Sequence, residues 1–220
     1  MRVRRVTATL VLAAVTIAVS LAVTATGQEG AAAIGAGFIP ARADGAALPP
    51  EYWSLPVWVT PLSATLIHLG LLHLASNLVM LVFAGSQTER AIGPRGVLIV
   101  YLVGAYAAAA GQWLGAEFLP GGEPFQPVVG ASGAVSALIG AYAVLYGRTR
   151  ARAIGPVPAW LVNALWIAAA WALLNYLFAL ALADTLPIAW QAHIGGFVAG
   201  MILARPLMRW RFRERPRAVD

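Results

Sequence analysis

VGASGAVSALIGAYAVLYG, residues 129–147, carries no charged side chain and is long enough to cross a bilayer, yet it opens on Gly130-Ala131-Ser132-Gly133. A later apolar stretch holds Ala192-His193-Ile194-Gly195-Gly196. Strongly polar groups at the bilayer centre cost about 2.5–3.5 kcal/mol on insertion scales, so such residues read first as functional. A hydroxyl and an imidazole placed this way suggest serine chemistry inside a membrane.

The rest of the chain fits that setting. Hydrophobic residues make up 60% of it and charged ones 11%, the profile of a polytopic membrane protein rather than of one or two soluble domains. With no cysteine, disulfides, thiol catalysis and thiolate-held metals are excluded. The net charge of +6 comes from arginines clustered between and beyond the apolar runs, a topology signal rather than a face for nucleic acid.

Six spans are predicted, at about 6–26, 63–84, 96–116, 129–147, 158–182 and 187–204, each near the ~20 residues that a membrane helix needs. The expected fold class is all-α, one six-helix membrane domain over 1–220 with an Arg-rich tail at 205–220. Arg2, Arg4, Arg5, Arg90, Arg95, Arg148, Arg150, Arg152 and the arginines from Arg205 onward fall on one side, and only Arg42 on the other. By the positive-inside rule both termini are cytoplasmic. Glu29, Asp44, Glu51, Glu117, Glu123 and Asp184 fall outside. Span one also reads as a cleaved signal peptide ending near Thr24-Ala25-Thr26-Gly27, an alternative that leaves every other loop on its side.

The long outer connection, about 27–62, contains Phe38, Trp53, Val57 and Trp58 and is expected to rest in the membrane interface. The Arg-rich tail is expected to anchor at the anionic inner leaflet. Abundant Ala and Arg without Lys point to a GC-rich bacterial genome and so to the plasma (inner) membrane.

All three histidines lie in or beside spans: His68 and His73 with Asn77 in span two, and His193 in span six. On a helix His73 and Asn77 share a face. His68 and His73 diverge by roughly 140°, which argues against a helical metal pair. No HExxH run and no acid in a span core occurs, so zinc and aspartyl mechanisms are disfavoured and no metal ligand set is expected. Spans two, four and six enter from outside, which brings His73, Asn77, Ser132 and His193 to similar depth in the outer half of the bilayer at about 1.5 Å per residue.

Ser132 then needs a base, and His193 suits the role in a dyad with no third acid. His73, Asn77 and the backbone N–H of Ser132 are candidate donors to an oxyanion. Gly130 and Gly133 permit close approach, and Gly196 with Gly200 suits tight helix packing. Each residue alone also reads as packing or interhelical hydrogen bonding; the recurrence at one depth is what favours a hydrolase.

These residues resemble the rhomboid family of intramembrane serine proteases over about 60–204. His68-x-x-x-x-His73-x-x-x-Asn77 is similar to the family's second-span pattern, Gly130-Ala131-Ser132-Gly133 to its nucleophile motif, and Ala192-His193-x-x-Gly196-x-x-x-Gly200 to its base-bearing span. Gly85-x-x-x-Glu89-x-x-x-Gly93 resembles its structural motif after span two. The resemblance implies Ser132 as nucleophile, His193 as base, His73 and Asn77 as oxyanion donors, no cofactor, and substrates that are membrane proteins cut in or near a transmembrane helix. The alternative is an inactive member of the same fold that binds transmembrane helices, which the intact Ser132 and His193 pair disfavours.

Two positions depart from the pattern. Trp58 is followed by Val59 where the family often has Arg, and Ser136 stands four residues after Ser132 where it often has an aromatic packed against the base. Glu89 is expected to cap or pair rather than to catalyse. A polytopic transporter is disfavoured for want of repeated halves and buried charges.

Overall fold

The computed structural model describes residues 7–146, 152–181 and 189–213. Arg2, Arg4, Arg5, Arg148, Arg150, Asp184, Arg215 and Arg217 of the topology argument lie outside them. Among the described residues the chain is all-α: α1 (Ala8–Ala25), α2 (Glu29–Ala36), α3 (Pro40–Ala43), α4 (Thr60–Ser63), α5 (Leu71–Phe118), α6 (Ser132–Tyr146), α7 (Ala159–Ala181) and α8 (Trp190–Arg213). Two of these, α1 and α5, are long and apolar enough to cross a membrane by length and composition.

Helix α5 spans the sequence assigned to spans two and three. It breaks at Gly93, whose φ of 82° a side chain would resist, and resumes at Pro94. Proline lacks the N–H a continuing helix needs and is preorganised for a first turn, so the pair ends one half and starts the next. Span two is displaced rather than shortened: its helix runs from Leu71 to the break at Gly93 instead of over 63–84. Residues 63–70 form a 3₁₀ turn at Ala64–Leu66 and then extended chain, because Gly70 at φ 97° turns the backbone before helix α5 begins at Leu71. Helix α8 is longer than its span, and the start of the supposed tail is helical as far as Arg213.

Helix α6 is the centre of the molecule, with every residue from Gly133 to Val144 buried. It packs against α5, α7 and α8, and α5 packs against α8 and α1. Small residues set these distances. A Cβ on Gly196 would overlap the Gly133 carbonyl, one on Gly200 the Ala137 carbonyl, and one on Gly140 the Phe197 carbonyl. At Gly104 a Cβ would overlap the Ala137 side chain. Backbone-to-backbone approach of this kind gives membrane helices their dispersion contacts, since lipid supplies no hydrophobic drive between them.

One residue, Glu89, ties three helices at the opposite end from Ser132 through its carboxylate and its backbone carbonyl. Glu89 of α5 accepts hydrogen bonds from the backbone N–H groups of Thr7 at 2.7 Å, Ala8 at 3.1 Å and Thr9 at 2.9 Å, and from the Thr9 hydroxyl at 2.8 Å. It therefore satisfies the unpaired donors at the start of α1, where negative charge also suits the helix dipole. Arg211 of α8 donates to the carbonyls of Glu89 at 3.2 Å and Arg90 at 2.8 Å, and Arg205 lies over the Trp160 ring at 4.7 Å. These two arginines of the tail are engaged by protein groups, in addition to any role at a lipid surface.

Overpacking a filled interface costs about 1–3 kcal/mol, and Gly200→Val is expected to lower the unfolding temperature in detergent accordingly. Gly30→Ala, facing open space, is expected to leave it unchanged. Thermal unfolding of the two variants checks this.

Candidate active site

Ser132 is the first residue of α6, so its own N–H is among the helix's unpaired donors. The segment leading to it is held at three points. Phe38 and Val128 exchange backbone hydrogen bonds at 3.0 and 2.8 Å, Gly130 N–H donates to the Ala64 carbonyl at 2.9 Å, and Ala131 N–H donates to His68 Nε2 at 3.3 Å. Phe38 is accordingly buried rather than interfacial, whereas Trp53 and Trp58 of the same connection are exposed.

His193 lies in the first turn of α8 and is buried. Its Nε2 is 2.8 Å from Ser132 Oγ. Gly196, one turn on, lies on the Gly133 backbone, so the glycine contact and the Ser–His contact belong to the same helix crossing. On α5, the His73 ring reaches Gly130: a Cβ there would stand 2.6 Å from His73 Nε2. Gly130, with φ 105°, thus admits both the turn into α6 and the imidazole beside it. Asn77 is buried and donates to the His73 carbonyl at 2.9 Å, which uses one of its two amide hydrogens.

His68 does not share a helix with His73. The turn at Gly70 brings the two rings to a centroid distance of 4.9 Å, edge to face, instead of the divergence a continuous helix would impose. Its ring is braced by a consistent set of donors and acceptors. Nε2 accepts from Ala131 N–H, so the neutral ring carries its hydrogen on Nδ1, 2.9 Å from Ser20 Oγ, and the Ser20 hydroxyl donates to the Leu66 carbonyl at 2.8 Å. Ser20 of α1 escaped sequence reasoning because nothing local distinguishes it from a packing serine.

Ser136 and Trp171 form a second group beside His193. The Ser136 hydroxyl donates to the Ser132 carbonyl at 2.7 Å and accepts from Trp171 Nε1 at 2.8 Å. The Trp171 ring centroid lies 5.9 Å from that of His193. A cavity of about 30 Å³ adjoins Ser132, walled by Ala105, Ala108, Ala109, Gly133 and Ala189.

A family model described as Rhomboid domain matches residues 54–210. The chain is 32% identical over 157 residues to rhomboid protease GlpG of Photorhabdus laumondii subsp. laumondii, covering 70% of this chain and 47% of that protein. It is 33% identical over 143 residues to rhomboid-related protein 2 of Mus musculus, covering 64% and 45%. The chain spans just under half the length of these curated relatives. The matched residues include Ser132, His193, His68, His73 and Asn77 and leave out α1 with Ser20.

Ser20→Ala strands the His68 Nδ1–H in a buried site, a loss of about 1–3 kcal/mol. Its unfolding temperature is expected to fall, with Ser20→Thr, which keeps the hydroxyl, closer to wild type; calorimetry in detergent measures both.

Proposed function

The chain belongs to the rhomboid family, and from that premise we propose that it is an intramembrane serine endopeptidase working through Ser132 and His193. The observation that carries the reading is the 2.8 Å separation of Ser132 Oγ and His193 Nε2 in a buried helix crossing. As the hydroxyl attacks a peptide carbonyl, Nε2 takes its proton and later delivers it to the departing amine; water then cleaves the acyl-enzyme by the reverse transfers.

Negative charge builds on the carbonyl oxygen in that step. The free N–H of Ser132, His73 beside Gly130 and the second amide hydrogen of Asn77 are the donors we assign to it. His68 and Gly130, Gly133 and Gly196 support this arrangement by bracing and close approach rather than by touching substrate.

The protein is a multi-pass membrane protein, and its substrates in this reading are membrane-anchored proteins cut in or near a transmembrane segment. A helix satisfies its own backbone hydrogen bonds in lipid, so the segment must unwind before a carbonyl can reach Ser132. The small residues Ala105, Ala108, Ala109, Gly133 and Ala189 that wall the cavity beside Ser132 support a small residue such as Ala, Gly or Ser at the cut. In this reading both termini are cytoplasmic and the site faces outwards, which arginine placement supports, and the plasma membrane is the membrane that the Ala- and Arg-rich, Lys-free composition favours.

Fluorophosphonate labelling of the solubilised protein tests the dyad. Wild type is expected to label, and Ser132→Ala and His193→Ala to lose the signal. Label retained in Ser132→Ala overturns the choice of nucleophile, and a folded wild type that never labels favours a helix-binding, inactive member of the family. In an active preparation His73→Ala is expected to slow peptide cleavage by about 10²–10³-fold, the usual effect of one missing oxyanion donor.

A further inference from the structure

We propose that Trp171 of α7, fastened by Ser136 of α6, is the positioning residue that holds the His193 imidazole against Ser132. The inference rests on the Ser132–His193 reading above. It starts from a hydroxyl whose capacities are both used: Ser136, fully buried, donates to the Ser132 carbonyl at 2.7 Å and accepts the indole N–H of Trp171 at 2.8 Å. Those bonds fix the indole relative to the backbone of Ser132 itself.

The same indole lies beside the base. Its centroid stands 5.9 Å from the imidazole centroid with the planes 49° apart, within the ~4.5–7 Å range of interacting aromatic pairs. Ser132, Ser136, Trp171 and His193 therefore close a ring of contacts through α6, α7 and α8: Oγ of Ser132 to Nε2 of His193, imidazole to indole, indole N–H to Ser136, and Ser136 back to Ser132. A serine four residues after the nucleophile leaves room for a large ring to enter from another helix, and Trp171 fills that room. An indole N–H in a membrane helix needs a protein partner, and Trp171 finds it on the residue one helical turn from Ser132.

The test compares Trp171→Ala, Trp171→Phe, Ser136→Ala and the double variant Trp171→Ala/Ser136→Phe, all first shown to be folded by thermal unfolding. Trp171→Ala is expected to lower kcat by about tenfold or more at nearly unchanged KM, a share of the ~10²–10⁴-fold a positioned base contributes. Trp171→Phe and Ser136→Ala each break the same hydrogen bond and are expected to lose less, and their effects together to be less than additive. The double variant, which returns an aromatic to the neighbourhood from α6, is expected to recover part of kcat.

A second readout needs no turnover: the ¹⁵N imidazole resonances of His193 in Ser132→Ala protein are expected to broaden or shift on Trp171→Ala. Wild-type kcat together with unmoved His193 resonances in Trp171→Ala overturns the proposal. A wild type that neither labels nor cleaves, but whose His193 resonances respond to Trp171→Ala, overturns the protease reading and leaves the positioning role standing.

Discussion

Helix α8 lies so close to α6 that at Gly196 and Gly200 it has no space for a side-chain carbon, and the site depends on that approach. Ser132 and His193 sit on different helices, 61 residues apart in sequence, yet Ser132 Oγ and His193 Nε2 are 2.8 Å apart. Helices normally pack about 8–10 Å apart. Glycines along this crossing fix a close approach of α8 to α6, and Ser132 and His193 meet at the end of the same crossing.

The second constraint concerns the loop before Ser132, which carries backbone groups that a membrane protein must satisfy internally. Phe38, Ala64 and His68 take up those of Val128, Gly130 and Ala131. His68 in turn is held by Ser20, so α1, which lies outside the region matched to the rhomboid family, still bears on the position of Ser132 through two hydrogen bonds. The connection over 27–62 is thus structural on one side, through Phe38, and exposed on the other, through Trp53 and Trp58.

Much of this was legible in the sequence where apolar runs and motif spacing carry the information. The helices fall on the apolar runs, and Ser132 stands at the head of one of them. Helical periodicity misled at His68, because one glycine with positive φ ends the regular geometry on which a helical wheel depends. Helix α8 outran its apolar span because Arg205 and Arg211 find an aromatic ring and two carbonyls rather than water alone. Trp171 was illegible for a different reason. In span five it is one of several large apolar residues, and only the packing of α7 on α6 brings its N–H to Ser136.

The knot at Glu89 has a bearing on how the molecule is built. Its carboxylate gathers the beginning of α1 while its carbonyl receives Arg211 from the far end of α8, so the first and last described helices are fastened at one point. During synthesis α1 and the first half of α5 emerge before α8, so the carbonyls of Glu89 and Arg90 wait for Arg211. His193 belongs to the same late helix. The arginine contact and the Ser132–His193 contact therefore both depend on the arrival of one helix.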